Sequence, residues 1–132
     1  MANTKESIID GLVTSLSSIS GIHTVTKDLL TPTKARANVP YIGVISGTEY
    51  VVAEDSTDIL YRLQVDLIIL VKSKEIEEWI DKVKQLIYTP IITTAKQIKI
   101  VGQNEVAVID ADKWSSTRMI INIIYVGNKT SF

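Results

Sequence analysis

The sequence has no cysteine, one histidine, three prolines and one phenylalanine among its 132 residues. Without cysteine there is no disulfide, no thiolate metal site and no thiol nucleophile, and the single His23 rules out a metal site built on two imidazoles of one chain. An excess of charge of one sign is also missing. Fourteen basic and fifteen acidic residues leave a formal net charge of -1, which removes the broad positive field of a non-specific DNA binder. No apolar run approaches the length that spans a bilayer, the longest being interrupted by Arg62, Gln64 and Asp66. The opening Met1-Ala2-Asn3-Thr4-Lys5-Glu6-Ser7 lacks the basic region and apolar core of a signal peptide, so the expectation is a soluble, intracellular protein without a membrane partner. The length is that of one domain, residues 1–132, able to bury its apolar surface without staples.

What the chain does have is two long strand-like runs. From Ile59 to Val71, one side of a two-residue repeat is Ile59, Tyr61, Leu63, Val65, Leu67, Ile69 and Val71; the other is Leu60, Arg62, Gln64, Asp66, Ile68 and Leu70. From Thr117 to Val126, Thr117, Met119, Ile121, Ile123 and Tyr125 alternate with Arg118, Ile120, Asn122, Ile124 and Val126. Each run is apolar on one face and half apolar on the other. A sheet with one dry and one wet face does not need the second set, so the pattern asks for a cover: a helix or another copy of the chain.

The remaining elements follow from periodicity and punctuation. Ile8, Ile9, Leu12, Val13, Leu16 and Ile19 recur at helical spacing, with Asn3 or Thr4 as the cap, Glu6 completing a capping box with Asn3, and Gly21 as the stop. Ile22 to Thr26 reads as a short strand and Lys27 to Asn38 as a surface loop without period. Val39 to Ser46 is a strand that Glu49 to Ala53 continues, with Gly43 and Gly47 suggesting bulges and Glu54 to Asp58 forming an acidic turn into the first long run. Ser73 caps a second helix whose stripe is Ile76, Trp79, Ile80, Val83, Leu86 and Ile87; its early glutamates and later lysines suit the helix dipole. Pro90 follows its end. Ile98 to Val101 and Val106 to Ile109 read as short strands around a turn at Gly102-Gln103-Asn104, with a second turn at Asp110 to Lys113 before the last long strand. The expected fold class is α+β: a mainly antiparallel sheet with two helices packed on one face.

No arrangement of residues points to catalysis. His23 beside the first helix stop reads as structural or solvated, and Asp110 and Asp112 lack the further oxygen ligands and glycine offsets of a calcium loop. Gly43, Gly47 and Gly102 match neither a dinucleotide nor a P-loop fingerprint. No cofactor and no metal are expected, and the chain reads as a non-enzyme. Trp79 belongs to a core stripe, whereas Trp114 opens the last strand as an edge anchor or an interface residue. Arg62, Asp66, Arg118 and Asn122, on the half-apolar face, can pair across strands or between subunits. A small ligand- or peptide-binding module, and an enzyme with an unrecognised site, are the other classes open to such a chain.

Taken together, the opening amphipathic helix, Pro40-Tyr41-Ile42-Gly43-Val44, Tyr61-Arg62-Leu63-Gln64-Val65-Asp66-Leu67, Glu77-Glu78-Trp79-Ile80-Asp81-Lys82-Val83 and Asp112-Lys113-Trp114-Ser115-Ser116-Thr117-Arg118 give a pattern. It resembles the tail terminator proteins of long-tailed bacteriophages, and other small neck and tail-completion proteins share the layout. The resemblance implies a virion tail protein, assembled in the host cytoplasm. It also implies a homohexameric ring that stops polymerisation of the tail tube and presents a docking surface to the head connector or completion protein. DNA would pass through such a ring without sequence-specific recognition. On that reading Arg62, Asp66, Ile68, Arg118, Ile120 and Asn122 lie at a subunit contact or the lumen. Lys34, Arg36, Glu54, Asp55 and Asp58 then lie at contacts with the tube or connector.

Overall fold

A computed structural model describes residues 4–27, 30–89, 95–104, 106–109 and 113–128. In chain order the elements are α1 (Lys5–Ser17), β1 (Thr24–Thr26), α2 (Pro32–Ala37), β2 (Tyr41–Glu54), β3 (Asp58–Lys72), α3 (Ile76–Ile87), β4 (Ala95–Gln103), β5 (Ala107–Ile109) and β6 (Trp114–Asn128). The sheet order is β1-β2-β3-β6-β4, with β5 also paired to β6. Only β1 runs parallel to its neighbour, so the sheet is mixed but mainly antiparallel and the α+β class holds.

The two long runs are central neighbours. β3 and β6 pair without a register shift from Asp58↔Asn128 to Lys72↔Trp114, a ladder roughly 45 Å long at about 3.3 Å per residue. That register places Leu63 beside Ile123, Val65 beside Ile121 and Leu67 beside Met119 on one face, here called the first. All six are fully buried, because α1 and α3 lay Ile8, Leu12, Leu16, Trp79, Ile80 and Val83 over them in one continuous core. At about 25 cal/mol per Å² of apolar area, this layer contains most of the fold's hydrophobic stabilisation.

The described helices differ from the sequence expectation in number, ends and placement. There are three, and the third, α2, lies within the stretch expected to be a loop. Thr31 caps it by accepting from the Lys34 N–H, and Pro32 stands where a missing N–H costs nothing. Six residues are too few to display a period, which is why the pattern is silent there. Ala35 of α2 packs with Tyr41 and Leu70, joined by Leu30, Val39 and Trp114, so α2 covers one end of the second face.

At the start of α1 the capping box is Thr4 with Ser7, not Asn3 with Glu6; the Thr4 hydroxyl accepts from the Ser7 N–H at 3.1 Å and Ser7 returns the contact at 3.0 Å. The helix ends at Ser17, before Gly21. Gly21 instead takes φ 89° beside the Trp79 ring, a left-handed backbone that side chains disfavour. Ser73 does not cap α3. It opens a single 3-10 turn, Ser73–Glu75, and its hydroxyl accepts from the buried Ser115 hydroxyl at 2.8 Å.

β4 and β5 do not form a hairpin around Gly102-Gln103-Asn104. Both run along the same side of β6, Ala95 opposite Tyr125 through Gln103 opposite Met119, then Ala107 opposite Ser116 through Ile109 opposite Trp114. They are one interrupted edge. The interruption is held by the buried Thr117 hydroxyl, which donates to the Asn104 carbonyl at 2.8 Å, and by the Asn104 N–H, which donates to the Arg118 carbonyl at 2.9 Å. Gly43 lies in regular register, whereas the irregularity falls between Ser46 and Glu49, at Gly47. There a Cβ would stand 2.9 Å from the Gln64 carbonyl oxygen, so the close backbone approach requires glycine. The expected turn residues Asp110 and Asp112, and Pro90 after α3, lie outside the described residues.

Candidate functional site

The second face of the sheet is built from the alternate residues of the same strands. Ile68 stands opposite Arg118, Asp66 opposite Ile120, Gln64 opposite Asn122 and Arg62 opposite Ile124. Thus Arg62, Asp66, Ile68, Arg118, Ile120 and Asn122 are brought together on one surface. β2 adds Ile45 opposite Asp66 and Tyr50 opposite Arg62, and β4 adds Lys99 opposite Asn122. Ile45, Ile68, Ile120 and Ile124 are half-buried. Sequence reasoning did not bring Ile45 and Tyr50 into this set, because their placement depends on the β2 register beyond what alternation reports.

Its polar groups are ordered by local pairs. Arg118 Nη1 lies 3.5 Å from Asp66 Oδ2, with side-chain exposures of 44% and 22%. Water reaches this pair, so it contributes roughly 0 to 1 kcal/mol and chiefly fixes which rotamers the surface presents. The Arg62 guanidinium lies over the Tyr50 ring at 4.8 Å.

The five residues expected to touch partners lie in two groups at opposite ends of the long strands. Lys34 and Arg36 belong to α2. The Arg36 guanidinium stacks on Trp114 at 5.5 Å, with the Lys113 ammonium 6.0 Å from the same ring, so Trp114 anchors a basic shelf at that end. Two further bonds tie the incoming chain to this shelf: the buried Tyr41 hydroxyl meets the Thr26 hydroxyl at 2.9 Å and accepts from the Leu30 N–H at 3.3 Å. At the other end, Asp55 folds the hairpin by accepting from the Thr57 and Asp58 N–H groups, each at 2.8 Å. Glu54, Asp55 and Asp58 then rim an open cleft of about 280 Å³ floored by Ala53, Leu60 and Val126.

Next to that tip β2 forms an arm. Its residues from Tyr50 to Glu54 are all exposed, Val51 at 60% and Val52 at 51%, where a second register shift bulges the strand. β1 reaches only to Gly43, so the outer edge of the arm has no strand partner among the described residues. Its root is pinned from the first face, where the Tyr125 hydroxyl donates to the Glu49 carboxylate and the Tyr61 ring lies 5.4 Å from that of Tyr125. Burial, then the bond to Glu49, then its charge and Tyr61 raise the Tyr125 phenol far above its ordinary value. Burial followed by the charges of Glu49 and Glu54 raises Tyr61.

His23 is exposed and its Nδ1 meets the Thr24 hydroxyl at 2.8 Å. Trp79 is buried in the core under the Lys82 ammonium, 4.5 Å from its ring. A second open cleft, about 400 Å³, lies between α1 and β2. Its two lysines are engaged, Lys5 donating to the Gly47 carbonyl at 3.1 Å and Lys27 to Asp10 at 2.7 Å. No protein family and no curated protein matches this sequence.

Proposed function

We propose that this chain is a non-enzymatic structural protein of a phage tail, a tail terminator whose homohexameric ring closes the end of the tail tube and offers a docking surface to the head connector. The resemblance in sequence pattern supplies the name of the assembly. The observation that carries self-association is the second face: four half-buried isoleucines, Ile45, Ile68, Ile120 and Ile124, on a surface that, among the described residues, α2 covers at one end. Partly exposed apolar residues beside arginines are what a subunit contact uses.

Such a ring requires a seam between unlike surfaces of neighbouring copies, because a repeated heterologous contact closes on itself when its rotation allows. Arg62, Asp66, Ile68, Arg118, Ile120 and Asn122 are the seam or lumen residues on this reading, and Lys34, Arg36, Glu54, Asp55 and Asp58 mark the ends available to tube and connector. Micrographs of the purified protein mixed with tail tubes test it, capped ends being the expected result and freely elongating tubes the contrary one. Mass in solution tests the seam. Ile120→Asp, on a half-buried surface position, is expected to lower the assembled mass while leaving the monomer folded by circular dichroism, and full-sized rings from this variant would remove Ile120 from the seam.

A further inference from the structure

Among the described residues, the arm and the second face are complementary in charge. From Tyr50 to Tyr61 the chain carries Glu54, Asp55 and Asp58 and no lysine or arginine, while Glu49 at the root of the arm is held by Tyr125 on the first face. The second face carries Arg62, Arg118 and Lys99 against a single carboxylate, Asp66, and the Arg118–Asp66 pair leaves Arg62 and Lys99 as its excess charge. Each surface also has apolar groups that a contact could cover further, the exposed Val51 and Val52 on the arm and the half-buried Ile68 and Ile120 on the face.

Edge-to-edge pairing is the obvious alternative way for two copies of a sheet to meet. It is disfavoured along the two long strands at the edges: β2, which is an edge beyond its pairing with β1, shifts register between Ser46 and Glu49 and between Val51 and Ala53, and β4 between Ala95 and Gln97 and between Ile100 and Gly102. Bulges interrupt the ladder of donors and acceptors that an incoming strand needs. The contact therefore uses faces and side chains.

We infer that the β2–β3 arm of one copy lies on the second face of the next, Val51 and Val52 against Ile68 and Ile120, the tip carboxylates toward Arg62 and Lys99. The contact is heterologous, arm to face, so each copy gives one arm and receives one, and the series closes or extends without a second kind of interface. This rests on the ring reading above and sharpens it. The tip carboxylates move from the tube contact into the seam, leaving the basic α2 end for the tube or connector.

The absence of cysteine from the chain gives a direct test. In one copy Val52 and Ile68 are far apart: Val52 adjoins the pairs at Leu60 and Tyr61, and Ile68 is seven to eight residues further along β3, roughly 25 Å. Disulfides need Cα atoms within about 7 Å, so a bond between these positions joins different copies. The double variant Val52→Cys, Ile68→Cys would be oxidised with and without tail tubes and run on a non-reducing gel, beside each single variant.

A ladder of covalent multimers from the double variant under either condition, with only monomer from the singles, is the expected result. No ladder under either condition from folded double variant overturns the inference, as does a Val52→Cys single variant that dimerises, since arms would then meet arms. Tube capping by the unmodified protein is scored separately. Capping without a ladder defeats the arm-to-face seam and leaves the terminator reading intact, whereas a ladder without capping does the reverse.

Discussion

The two faces of this sheet are made from alternate residues of the same strands, and they differ in what is laid over them. Leu67 and Ile68 are neighbours in sequence. Leu67 is fully buried beneath the α1 and α3 layer, whereas Ile68 is half-buried and lies outside that core among the described residues. The first face behaves as a core, where each side chain has partners on all sides; the second is a surface whose apolar groups still have something to gain from a cover. Whether an isoleucine here stabilises the fold or serves an assembly is decided by which side of the strand it occupies.

Substitution separates the faces. Leu67→Ala removes a fully buried side chain from the centre of the core and is expected to cost about 3 kcal/mol in denaturant unfolding, while Ile120→Ala on the second face costs about 1 kcal/mol or less. Equal losses would mean that the second face is covered within the monomer.

Gly47 links the faces at the bulge. Gly47→Ala places a Cβ against the Gln64 carbonyl at 2.9 Å, a backbone contact that no rotamer relieves, and a loss of about 1 to 3 kcal/mol is expected. Hydrogen exchange in the same variant should show faster opening of β2 between Ser46 and Glu54 than of β6.

Tyr125 contributes a pH dependence that belongs to the first face alone. Its folded pKa stands above the unfolded value of about 10, so its contribution is complete below pH 10 and declines above it as the unfolded chain gives up the proton first. The slope is about 1.4 kcal/mol per pH unit for each such group, and Tyr61 adds in the same direction. Tyr125→Phe should cost about 1 to 2 kcal/mol at neutral pH, by leaving Glu49 without this donor, and make the alkaline decline shallower. An unchanged slope above pH 10 would show that Tyr125 does not carry it.

The smallest effect is expected at the second-face ion pair. Asp66→Asn should change monomer stability by less than about 1 kcal/mol, because the pair is partly solvated. A much larger loss would show that the pair is buried by something the monomer lacks, and comparing dilute with concentrated protein would identify a second copy as the cover.

Much of this was legible in the residues. Alternation in Ile59 to Val71 and Thr117 to Val126 separated the faces correctly, and the stripes of α1 and α3 identified the layer that covers the first. The expected surface residues Arg62, Asp66, Ile68, Arg118, Ile120 and Asn122 do share one face. What escaped was short or non-local. α2 is too brief for periodicity, although Thr31-Pro32 has the form of a cap followed by a first helical residue. Ser73 has the chemistry of a cap, but its partner Ser115 is 42 residues away. Gly102-Gln103-Asn104 has turn chemistry, yet the strands on either side both pair with β6.

The sequence by itself determined which residues lie on the same side of each strand and helix, because that follows from the geometry of the local backbone and the spacing of apolar groups. Only the tertiary structure decided which side is covered, where α2 docks, and that the acidic arm and the basic shelf stand at opposite ends of a ladder roughly 45 Å long. Those outcomes depend on register and on partners distant in the chain, and a one-dimensional pattern of apolar and polar residues does not encode either.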